Sequence, residues 1–77
     1  MTDLYANKPR DYHERRRWQD AQRAAGLPVE CGREACHVRT SAPWTNKGTP
    51  LLYCQRCALT INQYNPGLCA PEGGGAR

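Results

Sequence analysis

Residues 31–57 read CGREACHVRTSAPWTNKGTPLLYCQRC and contain two close cysteine pairs. Four residues separate Cys31 from Cys36, two separate Cys54 from Cys57, and seventeen lie between the pairs. Each pair can direct two thiolates to one point, and a turn in the intervening chain can bring the two points together. The spacing therefore predicts a tetrahedral zinc site with these four cysteines as ligands.

A zinc ion held by four thiolates has no open position for water, so we expect one structural Zn²⁺ rather than a catalytic one. An iron–sulfur cluster is the alternative metal centre, although the plant-type spacing needs its ligands in one contiguous run. Buried free thiols are the alternative without a metal. Two side chains leave the ligand set open. Cys69 stands alone and is expected to be a spare thiol, whereas His37 is a candidate nitrogen ligand in place of Cys36.

The composition explains why a metal is needed. The 77 residues are 39% hydrophobic and include no Phe, and the mean hydropathy is −0.84. A single domain of this size has a thin core and usually needs a disulfide or a metal. The first residues contain no apolar stretch of signal-peptide length, and no run is long enough to span a membrane. We therefore expect a reducing, cytoplasmic location and no membrane partner, which with the odd cysteine count favours metal over disulfides.

Residues 1–30 form a basic N-terminal arm with a helix expected over about 11–25. Asp11 is placed to cap the start of this helix, and Gly26 with the following residues marks its end. On this helix three side chains share one face, and we expect that face to dock the helix through its tryptophan. These side chains are Trp18, Ala21 and Ala25.

Residues 31–65 form the expected zinc-binding module. Alternating residues predict a first strand over 37–44 and a second over 49–53, joined by a turn at 45–48. A short helix should begin at the second cysteine pair and end near Asn65, with Ala58, Ile61 and Tyr64 on one side. Residues 66–77, which contain several glycines and prolines, are expected to be a flexible tail.

The order of these parts resembles that of treble-clef zinc fingers. In such fingers a loop with the first ligand pair is followed by a β-hairpin and by a helix whose first turn carries the second pair. Here the parts are Cys31–Cys36, a hairpin over 38–53, and Cys54–Cys57 leading into a helix over 58–64. The expected fold is thus a small metal-stabilised α+β domain, an N-terminal helix followed by a treble-clef-like module. The first loop has four intervening residues instead of the commoner two, and a zinc ribbon is the alternative. In size the chain also resembles small accessory proteins encoded by bacteriophages.

The charge pattern suggests a partner. The formal net charge is +4, which becomes +2 with four thiolates and one Zn²⁺ bound, so bulk charge alone is a weak basis for binding. Local clusters of guanidinium groups beside an aromatic ring favour RNA or DNA phosphate. The resemblance to treble clefs implies docking on nucleic acid or on a nucleoprotein machine such as a ribosome or RNA polymerase. The expected contacts are Arg15, Arg16, Arg17, Trp18, Arg39, Lys47 and Arg56.

Two other functions remain as alternatives. The first is a protein–protein adaptor or inhibitor, of the kind a phage directs at a host complex, with a Trp/Tyr face. The second is a remnant of a His-Asn-His nuclease, which would need more histidines, because His37 and Asn62 are the available candidates and no acidic residue lies between Cys36 and Glu72. We therefore expect a non-catalytic protein without a small-molecule substrate.

Overall fold

A computed structural model describes residues 3–73, which form a small α+β fold of two helices and two antiparallel sheets. The elements in chain order are α1 (Tyr12–Ala24), β1 (Val29–Glu30), β2 (Arg39–Thr40), β3 (Trp44–Asn46), β4 (Thr49–Tyr53), α2 (Gln55–Tyr64) and β5 (Cys69–Pro71). The expected small α+β class is confirmed. Within residues 3–73, neither helix has the length and apolar character needed to cross a membrane.

Helix α1 begins and ends where its capping residues predict. The Glu14 amide donates to the Asp11 carboxylate at 3.0 Å, which satisfies one of the free N–H groups of the first turn. After the last helical residue, Gly26 adopts a φ of +79°, and the Leu27 amide donates back to the Gln22 carbonyl at 3.0 Å. Both ends are therefore set by local chemistry.

The buried face of α1 differs from the expected one. It consists of polar residues, namely Arg15, Gln19 and Gln22. Ala21 and Ala25 are exposed, and Trp18 is half-buried with its indole N–H donating to the Ala6 carbonyl at 3.3 Å. The predicted Trp18–Ala21–Ala25 docking face is therefore wrong. The helix lies against the ends of β1 and β4, where unpaired backbone groups need hydrogen-bond partners, so polar side chains are buried there.

The residues expected to form the first strand of the hairpin belong to two different sheets. β3 and β4 form an antiparallel hairpin, with Asn46 opposite Thr49 around a turn at residues 47 and 48. The expected first strand over 37–44 is wrong in its partner, because β2 pairs with β1 in a separate two-stranded sheet. Only Trp44 of that stretch belongs to the hairpin, where it lies opposite Tyr53.

The segment expected to be a flexible tail contributes a strand. β5 pairs with β3 and places Cys69 opposite Asn46, which makes β3 the central strand of the order β4-β3-β5. Residues 74–77 of that predicted tail lie outside the described residues. The main core lies between this sheet and α2, with Leu51, Ala58 and Cys69 buried and Ile61 packed against them. Tyr64, at the end of α2, is 79% exposed.

Candidate metal centre

Four cysteines from three parts of the fold converge at one point. Cys31 directly follows β1, and Cys36 closes a turn in which its amide donates to the Arg33 carbonyl at 3.1 Å. Cys54 is the N-cap residue of α2, and Cys57 lies in the first turn of that helix. The four sulfur atoms all lie within 4.8 Å of one another.

These distances fit a tetrahedral metal site. With metal–sulfur bonds of about 2.3 Å, the edges of a regular tetrahedron of sulfurs are about 3.8 Å long. The sulfurs of Cys36 and Cys54 are 3.9 Å apart. All five cysteines are free thiols, so no disulfide competes for the four that converge. The predicted approach of Cys31, Cys36, Cys54 and Cys57 is confirmed, and the cluster is compatible with a metal ion.

Burial disfavours the thiolate form of these cysteines when no cation is bound. Cys31, Cys54 and Cys57 are buried, whereas Cys36 is half-buried and is the most exposed of the four cysteines. Burial raises the pKa of Cys31 far above its usual range, although the backbone amides of Cys54 and Arg33 partly oppose this. Burial also raises the pKa of Cys57. Burial acts in the same direction on Cys36, but hydrogen bonds to the Cys36 sulfur from the Val38 amide and from the neighbouring thiols outweigh it, so the pKa of Cys36 is lowered. A bound cation would favour the thiolate form of all four.

Two side chains of the N-terminal segment hold the loop that carries the first pair. The Lys8 ammonium donates to the carbonyls of Arg33 and Cys36, at 2.6 and 2.7 Å. The Arg15 guanidinium donates to the Gly32 carbonyl at 2.8 Å and also to the carbonyls of two residues before its helix, Pro9 and Arg10. We call residues 31–36, which carry the first cysteine pair, the metal loop. The described part of residues 1–30 is therefore not a separate arm, because its side chains bind the metal loop directly.

The buried carboxylate of Glu30 contacts Lys8, which also binds the loop of the first cysteine pair. Glu30 accepts from Nδ1 of His37 at 3.0 Å and forms ion pairs with Lys8 at 3.3 Å and Arg39 at 3.4 Å. Burial raises the pKa of Glu30, but the hydrogen bond from His37 and the interactions with Lys8 and Arg39 outweigh it, so the net shift is downward. The Arg39 guanidinium also lies over the Tyr5 ring, with its central carbon 3.7 Å from the ring centre.

The two side chains that left the ligand set open lie outside the cluster. His37 is engaged with Glu30. The sulfur of Cys69 lies 3.5 Å from the amide nitrogen of Asn46, and burial is the main cause of its raised pKa. Asn62 fixes the backbone of Cys69 through two hydrogen bonds, at 2.8 and 2.9 Å. Cys69 thus belongs to the apolar core, in agreement with a spare thiol.

The residues expected to contact nucleic acid do not form one surface. Arg15 is 3% exposed and its guanidinium is used by three backbone carbonyls, so its assignment to phosphate is wrong. Arg16 binds Asp20 and the Pro50 carbonyl, and Arg39 binds Glu30. Trp18 lies beneath Lys8, whose ammonium is 5.6 Å from the ring centre. Four exposed arginine and lysine side chains form no ion pair within residues 3–73, and these are Arg17, Arg33, Lys47 and Arg56.

The surface has two clefts that share Arg33, and the first borders the cysteine cluster through Cys36 and Cys57. One, of about 440 Å³, is lined by Arg33, Ala35, Cys36, His37, Val38, Arg56 and Cys57. The other, of about 380 Å³, is more apolar and is lined by Arg33, Tyr53, Thr60, Ile61, Tyr64 and Asn65. The first contains two exposed arginines, one from each cysteine loop, and no carboxylate of residues 3–73. Of these two arginines, Arg56 is among the residues expected from the sequence to contact nucleic acid.

Sequence reasoning missed Lys8, Gln19 and Gln22 as supports of this region. The helical spacing of Arg15, Gln19 and Gln22 carries a weak signal, since it marks one face, but polar side chains are usually read as solvent-facing. Comparisons of the chain with protein-family models, with curated proteins and with solved structures each find no match. The function is therefore argued from the geometry of the site.

Proposed function

We propose that this protein is a structural zinc module that docks on nucleic acid or on a nucleoprotein complex. The observation that carries the zinc assignment is the convergence of four cysteine sulfurs within 4.8 Å. Four thiolates are the ligand set that suits a closed zinc site, and such a site contributes its binding energy to folding. The zinc ion fixes β1 relative to the start of α2.

The order of elements supports a treble-clef-like arrangement. The loop with Cys31 and Cys36 precedes the β3–β4 hairpin, and the second pair lies at the start of α2. The added β1–β2 sheet and the longer first loop are the departures from that arrangement.

A non-catalytic role follows from the same ligand set. Four protein ligands leave zinc no position for an activated water. The two candidates for nuclease chemistry have other partners, since His37 binds Glu30 and Asn62 binds the backbone of Cys69. Neither is poised over an open metal position.

Native mass spectrometry of protein purified without added metal tests the zinc assignment. We expect one zinc ion per chain, with Cys54→Ser losing it. Cys69→Ser is the matched control, because this cysteine lies outside the cluster, and it should keep the metal. Zinc retained by Cys54→Ser, or lost only from Cys69→Ser, would contradict the assigned ligand set.

Docking on nucleic acid is supported by the basic side chains left without acidic partners. No acidic residue occurs between Cys36 and Glu72, a stretch that includes Lys47 and Arg56. Arg17, on α1, is exposed as well. Guanidinium and ammonium groups without carboxylate partners are available to phosphate oxygens.

Fluorescence anisotropy with a short single-stranded RNA and its DNA counterpart tests this docking. Each neutralised phosphate should contribute about −0.7 to the slope of log affinity against log salt for a single strand.

The second candidate function, a protein adaptor, is favoured by the apolar cleft beside exposed Tyr64. An adaptor would bind neither oligonucleotide and would retain a protein partner after nuclease treatment and a high-salt wash.

A further inference from the structure

The cleft over the metal centre joins the two cysteine loops. Arg33 lies between Cys31 and Cys36, and Arg56 lies between Cys54 and Cys57. Both side chains are exposed and both line the same cavity of about 440 Å³. Neither guanidinium has a hydrogen-bond or ion-pair partner within residues 3–73, although most other arginines of the described chain do.

The carboxylates nearest in sequence are already engaged elsewhere. Glu30 is buried under Lys8, His37 and Arg39, and Glu34 faces Arg10 in an exposed ion pair at 3.6 Å. Within the described part of the chain, no acidic residue lines the cleft. The two arginines are therefore the charged groups that a ligand entering the cleft would meet first.

We propose that Arg33 and Arg56 form a clamp for one backbone phosphate of a nucleic acid, assembled by the metal. The proposal rests on the docking function above and names the group that is bound. Arginine suits this role because its planar fork donates two parallel hydrogen bonds to a phosphate. Zinc makes the clamp, since each arginine is fixed to a different ligand pair and the two pairs are brought together by the ion.

The metal centre also determines how the clamp works. Four thiolates and Zn²⁺ carry a formal charge of −2, which the two arginines match, so the local sum is zero. Binding therefore depends on hydrogen bonds from the guanidinium groups at the rim of the cleft rather than on excess positive charge. Removing the arginines should cost more than removing the same number of charges elsewhere.

The experiment compares two double variants of the zinc-loaded protein by fluorescence anisotropy with a short single-stranded RNA across a salt series. Arg33→Gln/Arg56→Gln removes the clamp. Arg10→Gln/Arg23→Gln is the matched control, because it removes two exposed arginines that lie away from the cleft. Retention of one zinc per chain and of amide dispersion shows that each variant is folded.

We expect the clamp variant to lose about tenfold or more in affinity and its salt slope to become shallower by about 0.7, the contribution of one phosphate on a single strand. The control should stay within about threefold of the wild type. Equal losses in both variants would overturn the clamp in favour of bulk charge. Unchanged binding by the clamp variant would also overturn it, while leaving the docking function in place. Failure of the wild-type protein to bind either RNA or DNA would instead overturn the docking function itself.

A second measurement identifies the source of the phosphate. Titration with inorganic phosphate, followed by NMR of the guanidinium Nε–H signals, should shift Arg33 and Arg56 weakly and only at high concentration if the site is built for a nucleic-acid backbone. If inorganic phosphate saturates the site at a concentration at which the same concentration of RNA does not bind, the assignment to nucleic acid is overturned.

Discussion

Gly32 lies where the metal loop passes between β4 and α1. Its amide donates to the Leu52 carbonyl at 2.7 Å, and its own carbonyl accepts from Arg15. A Cβ atom at this position would lie 2.7 Å from the Leu52 oxygen and 2.8 Å from the Leu51 Cβ, which is closer than such atoms normally approach. Both contacts are to groups held by β4, so the loop itself would have to move.

Replacing Gly32 with Ala should therefore destabilise the zinc-loaded protein by about 1–3 kcal/mol, the usual cost of overpacking. Urea unfolding followed by circular dichroism measures the change. Gly48→Ala is the matched control, because its Cβ would meet only the side-chain oxygen of Asn46, at 3.3 Å. An equal effect of the two substitutions would show that the close approach at Gly32 is not the cause.

Lys8 acts on the metal loop from outside the ligand set. Its ammonium donates to two carbonyls of this loop and forms an ion pair with Glu30, whose carboxylate also contacts His37 and Arg39. Groups that orient metal ligands typically change metal affinity by 10- to 100-fold when removed. We expect Lys8→Met to weaken zinc binding by about tenfold in a competition with a chromogenic chelator. Arg10→Met, at a side chain that is 91% exposed, should leave the affinity unchanged.

At the scale of elements, α1 is held by side-chain amides rather than by an apolar stripe. The Gln19 amide nitrogen donates to the carbonyls of Glu30 and Leu52, at 2.7 and 2.8 Å, and its oxygen accepts from the Leu52 amide at 3.1 Å. Gln22 likewise accepts from the Glu30 amide and donates to the Leu4 carbonyl. One helix face thus satisfies the free backbone groups of β1, of β4 and of the N-terminal segment.

Gln19→Leu should cost about 2–4 kcal/mol of unfolding free energy. The substitution keeps the volume similar but leaves the Glu30 carbonyl and the Leu52 amide buried without partners, at about 1–3 kcal/mol each. The Leu52 carbonyl still accepts from Gly32. The same replacement at exposed Gln63 serves as control and should change stability little. A loss below about 0.5 kcal/mol at Gln19 would contradict the role assigned to its amide.

Local signals explain which elements could be predicted. The cap at Asp11, the stop at Gly26 and the turn between β3 and β4 depend on neighbouring residues, so they were readable from the sequence. The partner of β2 was not, because β1 lies about ten residues upstream and only two residues of each strand pair. The buried face of α1 was misjudged for a related reason. Gln19 and Gln22 are buried because backbone groups of β1 and β4 lie opposite them, and the hydropathy of the helix does not reveal the position of those groups.

The site divides in the same way. Cysteine spacing predicted the four converging sulfurs, since ligand pairs at close spacing have few other uses. The sequence predicts that Arg15, Arg16 and Arg17 all contact phosphate, yet successive helical residues point in different directions, so Arg15 is buried while Arg17 is exposed. Whether a charge faces solvent depends on what packs on its helix, which the sequence alone did not reveal.

At the scale of the whole molecule, the metal loop joins the N-terminal segment, α1, β4 and α2. The N-terminal segment reaches it through Lys8, α1 through Arg15, and β4 through the Leu52 carbonyl. The second cysteine pair brings α2 to the same point. Among residues 3–73, the buried hydrophobic residues include few large side chains besides Val29, Leu51, Leu52 and Tyr53, so polar contacts such as those of Gln19 and Gln22 make up much of what joins α1 to the strands.

Removing the metal should therefore unfold α1 together with the module over 31–65. An isolated helix of 13 residues is marginal in water, and α1 would lose the carbonyls that its polar face binds. We expect excess chelator to collapse amide dispersion throughout residues 3–73 and to lower the helical circular dichroism signal, with both recovered on adding zinc. Native chemical shifts that persist in α1 after chelation would mean that the helix is stabilised independently of the metal loop. In that case the contacts of Lys8 and Arg15 would be consequences of folding rather than part of what couples the N-terminal residues to the ion.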